Sequence, residues 1–214
     1  MKLKTFQFNM VEVNCYLLWD EQSHEAVLID PSVYYNEEQQ ALKAFIEKEK
    51  LQITHLLNTH LHFDHIFGNA WVEKTYGVET EAHAGDLSWL TKVGERCQLF
   101  GILWPEDHNF QLKHELLPSD EIRFGTHKLQ CLYVPGHSQG SLCFYSEEEG
   151  WLFSGDALFR LSVGRTDLPG GDQDQLIAAI RKELLPLPPK TIVYPGHGPS
   201  STIADENQHN PYLR

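Results

Sequence analysis

The sequence predicts one α/β domain over residues 1–214, an αββα sandwich of two mixed β-sheets with helices on the outer faces. Two observations lead to this fold class. Each half of the chain has a run of short apolar segments followed by helical periodicity, and no low-complexity segment or linker separates the halves. The length is also ordinary for one such unit. Two sheets that bury their apolar faces against each other, with helices outside, satisfy this order of elements.

In the first half, short apolar segments separated by polar turns predict strands at residues 3–9, 14–20 and 25–30. A helix is predicted over about 36–50, where apolar residues recur every three or four positions. A strand over 53–60 then runs into a second helical pattern, which starts near Ile66.

The second half begins after an irregular stretch around Trp104. Its apolar segments predict strands at residues 121–124, 128–134, 141–146 and 151–155, a helix over 174–187 and a last strand at 191–195. The two halves therefore have the same plan, strands first and a helix after them, which favours one sheet from each half.

The charge and composition of the chain limit the classes of partner that the protein is expected to bind. The formal net charge of -13 argues against nucleic acid or a membrane surface, because binders of polyanions present dominant patches of Lys and Arg. A small molecule is the expected ligand. Four scattered cysteines form no C-x-x-C pair. The N-terminus lacks the continuous apolar core of a signal peptide, and no apolar run would cross a bilayer, so we expect a cytoplasmic protein. The oligomeric state is not indicated.

The strongest chemical signal is the segment His60-Leu61-His62-Phe63-Asp64-His65 at the end of an apolar strand. Alternation along an extended backbone directs His60 and His62 to the same side. Asp64 and His65 stand at the turn into a helix, from which both can point back to the same space. Asp64 could also be a plain helix N-cap, and a lone His is usually a satisfied polar group. Four such residues in six positions nevertheless predict a metal site.

Three further candidates each follow an apolar strand: His137 in VPGHSQGS, Asp156 in LFSGDALF and His197 in VYPGHGPS. Strand ends present side chains into a shared pocket, and the adjacent glycines allow the backbone to turn tightly. Together with the first segment they supply seven N or O ligands. That number suffices for two metal ions that share one carboxylate and keep open positions for water.

The order H-x-H-x-D-H, G-H, G-D and G-H resembles the metallo-β-lactamase superfamily, and the stretch GDALFRLSVGRTDLPGGD (155–172) resembles its glyoxalase II branch. The resemblance spans essentially the whole chain and implies the metallo-β-lactamase-like form of the predicted sandwich. It implies that one ion is bound by His60, His62 and His137, and the other by Asp64, His65 and His197. Asp156 would bridge the two ions. Asp at this position disfavours the β-lactamases that use a Cys thiolate there.

The activity implied by the resemblance is thioester hydrolysis, as in short, single-domain relatives of glyoxalase II (hydroxyacylglutathione hydrolase). A hydroxide shared by two divalent ions would attack the thioester carbonyl, and Asp64 would position or help to protonate what forms there. Ligation by His and carboxylate suits Zn, which we expect first, as well as Fe or Mn. Full-length glyoxalase II also has a C-terminal helical domain that helps to hold glutathione, whereas this sequence ends at Arg214. The acyl group and the thiol carrier therefore stay open.

Arg165 has two interpretations. Glyoxalase II has a glycine-lysine pair in the loop after the bridging Asp, and here the pair is Gly164-Arg165. The retained cation predicts contact with an anionic group of the substrate. The alternative is an internal ion pair with Asp167 or Asp172. Asp30, at the end of the third strand, likewise either orients a ligand histidine or caps the following turn.

Three other functions compete with thioester hydrolysis. A mono-iron persulfide dioxygenase of the same superfamily would use only His60, His137 and Asp156, which leaves Asp64 and His197 without a role as ligands. Nuclease activity is disfavoured by the acidic charge and by the lack of an inserted domain that could clamp a strand. A non-catalytic metal-binding module would need closed ligand shells, whereas seven ligands over two sites leave positions open.

Overall fold

A computed structural model describes residues 1–214. It shows two six-stranded mixed sheets packed face to face, with helices against both outer faces, so the predicted fold class is confirmed. A separate two-stranded hairpin follows the central strand of the second sheet.

The first sheet comes from the N-terminal half. Its strands are β1 (Lys2–Phe8), β2 (Val13–Trp19), β3 (Glu25–Ile29), β4 (Gln52–Leu57), β5 (Thr80–Ala82) and β6 (His114–Glu115), and they lie side by side in that order. The first three strands pair antiparallel and the later pairs are parallel. Parallel pairing needs crossover connections. Helices supply them: α1 (Asn36–Glu49), α2 (Asn69–Tyr76), α3 (Leu87–Leu90) and α4 (Val93–Leu99).

The second sheet comes from the C-terminal half. It contains β7 (Glu121–Phe124), β8 (His127–Tyr133), β9 (Leu142–Ser146) and β10 (Trp151–Gly155), followed by the hairpin β11 (Leu158–Phe159) and β12 (Ser162–Val163). Helix α5 (Gln173–Ala179) continues into a π turn at Ile180–Leu184, and β13 (Ile192–Pro195), β14 (Ser201–Thr202) and α6 (Ile203–His209) end the chain. The strand order is β14-β13-β10-β9-β8-β7, and only β10 and β13 are parallel. None of the helices is long and apolar enough to cross a membrane.

Alternation along the central strands builds the layers. Leu18 and Val27 face the second sheet and pack with Phe144 and Phe153 in the core between the sheets. Their neighbours Leu17 and Leu28 face outward and pack with Leu42 and Ile46 of α1. On the other side, Leu176 and Ile180 cover the outer face of the second sheet. Both faces of each sheet are therefore buried, which explains why these strands are almost continuously apolar.

The main differences from the sequence prediction are at short elements. The long strands lie within one to three residues of their predicted bounds, but β5, β6, β14 and the helices α3, α4 and α6 were not predicted. The helix after the histidine segment begins at Asn69 and not near Ile66. Ile66 and Phe67 are fully buried under the preceding 3-10 turn, and their helical spacing reflects this packing.

Asp20 ties the two sheets together at the end of β2. Its Oδ1 accepts hydrogen bonds from the backbone N–H groups of Gln22 (2.6 Å) and Ser23 (2.9 Å). Its Oδ2 accepts from the backbone N–H (2.9 Å) and the hydroxyl (2.8 Å) of Thr126, in the turn between β7 and β8. These donors, that of Thr126 foremost, hold the pKa of the Asp20 carboxyl well below its ordinary value.

We expect Asp20→Ala to lower the melting temperature by several degrees at pH 7, because it removes two hydrogen bonds within the turn after β2 and two to Thr126 that join the sheets. A carboxylate whose folded pKa is depressed stabilises the protein above its unfolded pKa of about 4. That contribution is lost as the pH falls toward the folded pKa, so the difference from wild type should narrow below about pH 4. Thermal melts from pH 7 to pH 3 test this, with exposed Asp174→Ala as the control. A difference that widens on acidification would contradict the assignment.

Candidate metal centre

The histidine segment lies directly after β4, at the end of the first sheet. The chain stays extended through His62 and then forms a 3-10 turn over Phe63–His65. His60 and His62 are buried, and their ring centroids are 4.6 Å apart. Leu61 points the opposite way into a buried apolar cluster. The predicted alternation is therefore present, and the 3-10 turn brings His65 back beside His60, with ring centroids 4.2 Å apart.

The other three predicted residues follow strands of the second sheet. Asp156 comes directly after β10, and His197 follows β13. Because these two strands are parallel, with Gly155 opposite Pro195, their carboxyl ends meet at one edge of the sheet. His137 lies in the loop that follows β8. This edge faces the end of β4, so all seven predicted residues meet where the two sheets adjoin.

Six of the seven side chains form two clusters of three, and a further group of His60, His65 and Asp156 connects them. The ligand atoms of His60, His62 and His137 lie within 4.8 Å of one another. Those of Asp64, His65 and His197 do as well.

Asp156 lies between the two clusters. Its Oδ1 is 3.3 Å from His65 Nε2, and its Oδ2 is 3.6 Å from His137 Nε2 and 3.7 Å from His197 Nε2. One carboxylate therefore faces histidines of both clusters, as the sequence predicted for a bridging residue.

The donor atoms fit metal ions. His62 Nε2 is buried and has no hydrogen-bond partner, and the buried His65 Nε2 and Asp156 Oδ1 face each other at 3.3 Å without hydrogen-bond geometry. The Nε2 atoms of His60 and His137 face each other at 3.3 Å. A buried polar atom without a partner costs about 1–3 kcal/mol, so a fold rarely accumulates several in one place without a ligand. Cations among these nitrogens and oxygens would satisfy all of them.

Burial and mutual charge set the protonation states. Burial lowers the pKa of His62 to about 3 and that of His60 well below its ordinary value, with the neighbouring imidazoles contributing in the same direction. Burial alone would raise the pKa of Asp156, but the charge of His65 outweighs it and holds this pKa well below the ordinary value. Neutral imidazoles and ionised carboxylates are the forms that bind metals.

His65 and His197 have the opposite shift. Burial opposes their charged forms, yet Asp156 and Asp30 raise the pKa of His65 well above its ordinary value, and a hydrogen bond to Asp64 raises that of His197. In the absence of a cation these two imidazoles thus balance the buried carboxylates.

Hydrogen bonds to the second ring nitrogen orient three of the histidines. Asp30 Oδ2 accepts from His65 Nδ1 at 3.0 Å. His137 Nδ1 donates to the backbone oxygen of Arg165 (2.8 Å), and His197 Nδ1 donates to that of Val11 (3.0 Å). Each bond leaves Nε2 directed at the cluster, which is the usual arrangement for ligand histidines. Of the two interpretations of Asp30, the structure supports orientation of a histidine.

A glycine is required at position 196 because neighbouring side chains leave no room for a Cβ atom. A Cβ atom there would lie 2.3 Å from Asp156 Oδ1 and 2.7 Å from His65 Cε1. Gly155 is limited in two ways, because its φ of +49° favours glycine and a Cβ atom there would lie 2.4 Å from Thr59 Oγ1. Space is therefore a reason for both glycines, beside the tight turn that the sequence predicts.

Asp86 is a buried residue that the sequence analysis missed. Its Oδ2 accepts from the backbone N–H of Leu61 (3.1 Å) and from the hydroxyl of Ser138 (2.7 Å), and its Oδ1 accepts from the backbone N–H of Gly140 (2.7 Å). It therefore joins the loop of His60 and His62 to the loop of His137. Its sequence context, AHAGD, has no periodic or motif signal that would have identified it.

A cavity of about 390 Å³ opens above the clusters. Five of the seven predicted ligands line it, together with Arg165 and seven apolar side chains. The Arg165 guanidinium forms two hydrogen bonds of 2.7 Å with the Asp167 carboxylate. Asp172 instead caps α5. The internal ion pair is thus present with one of the two predicted partners, and contact of Arg165 with a substrate stays a prediction.

We expect Asp86→Asn to weaken metal binding about 10- to 100-fold, because an amide NH2 would face an N–H donor and the two loops would separate. Competition with a chromogenic chelator measures the change in Kd. The exposed Asp107→Asn variant is the control and should bind metal like the wild type. A lower melting temperature of the metal-free variant with unchanged metal affinity would contradict a role in placing the ligands.

Comparison with known proteins agrees with this geometry. A family model described as the metallo-beta-lactamase superfamily matches residues 9–197. The hydroxyacylglutathione hydrolase GloC of Haemophilus influenzae is 34% identical, and the match covers 100% of this chain and 98% of that protein.

Two solved structures are similar over nearly their full length. The BLEG-1 B3 metallo-beta-lactamase superposes with a TM-score of 0.88 at 36% identity and 99% coverage of both chains. A di-iron-bound form of TTHA1623 superposes with a TM-score of 0.86 at 35% identity, covering 98% of this chain and 100% of that one. The matched region contains all seven predicted ligand residues, and the chain belongs to the metallo-beta-lactamase superfamily.

Proposed function

We propose that this chain is a thioester hydrolase that binds two divalent ions. The observation that carries the proposal is the Asp156 carboxylate, which faces histidines of both clusters at 3.3 to 3.7 Å. The full-length similarity to a protein named hydroxyacylglutathione hydrolase supports the thioester as the bond that is cleaved.

In this proposal, His60, His62 and His137 hold one ion, Asp64, His65 and His197 hold the other, and Asp156 is shared. When bound, the two ions lower the pKa of water toward neutrality and polarise the carbonyl. Zn suits these nitrogen and oxygen ligands, as do Fe and Mn, and a relative has been solved with two irons.

The polar residues of the cavity favour a substrate whose leaving group departs without prior protonation by a general acid. Hydrolysis joins the oxygen of water to the carbonyl carbon and breaks the carbon–sulfur bond, which gives a carboxylate and a thiol. A thiol has a pKa near 8.5, so the sulfur departs readily as a thiolate. Apart from the ligand residues and Arg165, no titratable side chain lines the cavity. Asp64, which lines the cavity, would accept a proton from the attacking water and pass it to the departing sulfur.

One observation favours a second candidate, β-lactam hydrolysis. A structural relative at 36% identity is named a B3 metallo-beta-lactamase. A cyclic amide has a poorer leaving group than a thioester, and the cavity offers the departing nitrogen no acid outside the ligand set. We therefore propose thioester hydrolysis as the activity. A β-lactam is included among the substrates that test this proposal.

The test is a substrate panel on purified protein loaded separately with Zn, Fe(II) and Mn. It contains S-lactoylglutathione, a neutral thioester, a chromogenic cephalosporin and glutathione persulfide, the last followed by oxygen uptake. We expect metal-dependent hydrolysis of thioesters that a chelator abolishes. Oxygen uptake with Fe(II) and no thioester hydrolysis would establish the persulfide dioxygenase instead. Faster turnover of the cephalosporin than of any thioester would favour the β-lactamase.

We expect Asp156→Ala to abolish hydrolysis and reduce the bound metal to less than one ion per chain, because its carboxylate faces both clusters. His197→Ala should lose mainly one ion, since His197 belongs to one cluster of three. Elemental analysis of both variants measures this, with circular dichroism to check folding. The exposed His209→Ala variant is the control. Two ions retained by Asp156→Ala would show that this carboxylate is not shared.

We expect Arg165→Ala to raise KM about tenfold or more for an anionic thioester such as S-lactoylglutathione, with kcat nearly unchanged. A neutral thioester should not be affected. The ion pair with Asp167 is exposed and contributes little stability, so Arg165 can be released to a substrate carboxylate.

The matched variants for this prediction are Asp167→Ala and Arg165→Lys. The first frees the guanidinium and should lower KM for the anionic substrate. The second keeps the charge but not the paired donors, and should show a smaller loss than Arg165→Ala. Equal losses on anionic and neutral substrates, with a lower melting temperature, would assign Arg165 to bracing its loop.

A further inference from the structure

The wall of the cavity above the metal centre is apolar. Four of its lining residues, Phe63, Trp89, Phe100 and Ile102, lie on the side of the cavity next to His62, and we refer to them as the apolar wall. The Phe63 and Phe100 rings are 5.3 Å apart, and the Trp89 ring lies 4.1 Å from the His62 ring. The apolar wall is therefore continuous with a residue of the metal centre.

Part of this surface is open to water. Phe100 is 49% exposed, and Met10 and Val11, which also line the cavity, are each 41% exposed. Two more large apolar side chains close to the wall in sequence, Leu99 and Leu103, are 84% and 73% exposed. Single exposed apolar residues are normal, but a group that borders a cleft marks a binding surface. Its burial by a ligand would release apolar area from water.

The cavity offers few polar partners outside its ligand residues. No Ser, Thr, Asn or Gln side chain lines it. Its one cation, Arg165, is paired with Asp167. A hydroxyl group placed against the apolar wall would lose its hydrogen bonds to water and find no uncharged polar side chain in the lining, which is unfavourable. The Arg96 guanidinium lies over the Trp89 ring, 3.4 Å from its centroid, but does not line the cavity. A hydrocarbon chain at the same place would meet only favourable contacts.

We infer that the apolar wall binds the acyl group of the substrate, and that this group is a hydrocarbon chain of several carbons. The inference rests on the proposed thioester hydrolase activity and specifies its substrate class. With the carbonyl at the metal centre, an acyl chain of several carbons would extend from His62 along Trp89 toward Phe63 and Phe100. Arg165 remains available for the thiol carrier.

The experiment uses metal-loaded enzyme and acyl thioesters of one small neutral thiol, N-acetylcysteamine. The acyl series is acetyl, propionyl, butyryl, hexanoyl and octanoyl. We expect kcat/KM to rise about two- to fourfold per methylene until the wall is covered. The same acyl series on glutathione should show the same dependence.

Variants locate the effect on the apolar wall. Phe100→Ala should flatten the dependence on chain length, because it removes an apolar side chain that the longer acyl groups would contact, whereas Phe100→Leu should keep most of the dependence. Leu117→Ala is the matched control, because Leu117 is 52% exposed and does not line the cavity. It should behave like the wild type.

Two failures can be told apart. Hydrolysis with no dependence on chain length would overturn this inference and leave the thioester hydrolase in place. A dependence that follows the thiol and not the acyl group would overturn it as well. If no thioester is hydrolysed by protein that has bound its metal, the proposed function fails and this inference fails with it.

Discussion

The burial of five imidazoles and two carboxylates in one small space is the constraint on which the rest of the structure depends. Such groups repel one another or lose hydration unless a cation or a proton lies between them. Asp156 reduces this cost because it faces histidines of both clusters. The unpartnered His62 and His65 nitrogens mark the directions from which cations would be bound.

The sandwich places these groups by bringing the strand ends of both sheets together. Leu142 N donates to Thr59 O, and Asn14 N donates to Gly196 O, so backbone hydrogen bonds cross between the sheets beside the centre. Asp86 adds a buried carboxylate bridge between two ligand loops. The core between the sheets and the metal centre are thus built on the same contacts, and a change in sheet packing would move the ligands.

The residues around the centre offer two different environments to the two parts of the proposed substrate. The apolar wall beside His62 suits a hydrocarbon group, and Arg165 on its loop suits a negative charge. Two divalent ions against two ligand carboxylates would leave the centre positive, which favours a carbonyl oxygen that gains negative charge during hydrolysis. The net charge of the protein is negative, but the proposed metal ions and Arg165 would attract an anionic substrate locally.

The sequence by itself determined the layers and the set of candidate ligands. Strands such as β2 and β3 follow from their apolar runs, and the seven candidate ligand residues follow from the histidine segment and from positions after strands, since alternation and strand ends are local properties of the chain. Only the tertiary structure decided the role of Asp86, the pairing of Arg165 with Asp167 rather than Asp172, and the meeting of Met10 with Phe100 around one cavity. These contacts join residues with no periodic relation, and several short elements, β5 and β6 among them, are stabilised by neighbours distant in sequence. Local patterns do not encode which distant segments meet, because that depends on how the two sheets pack.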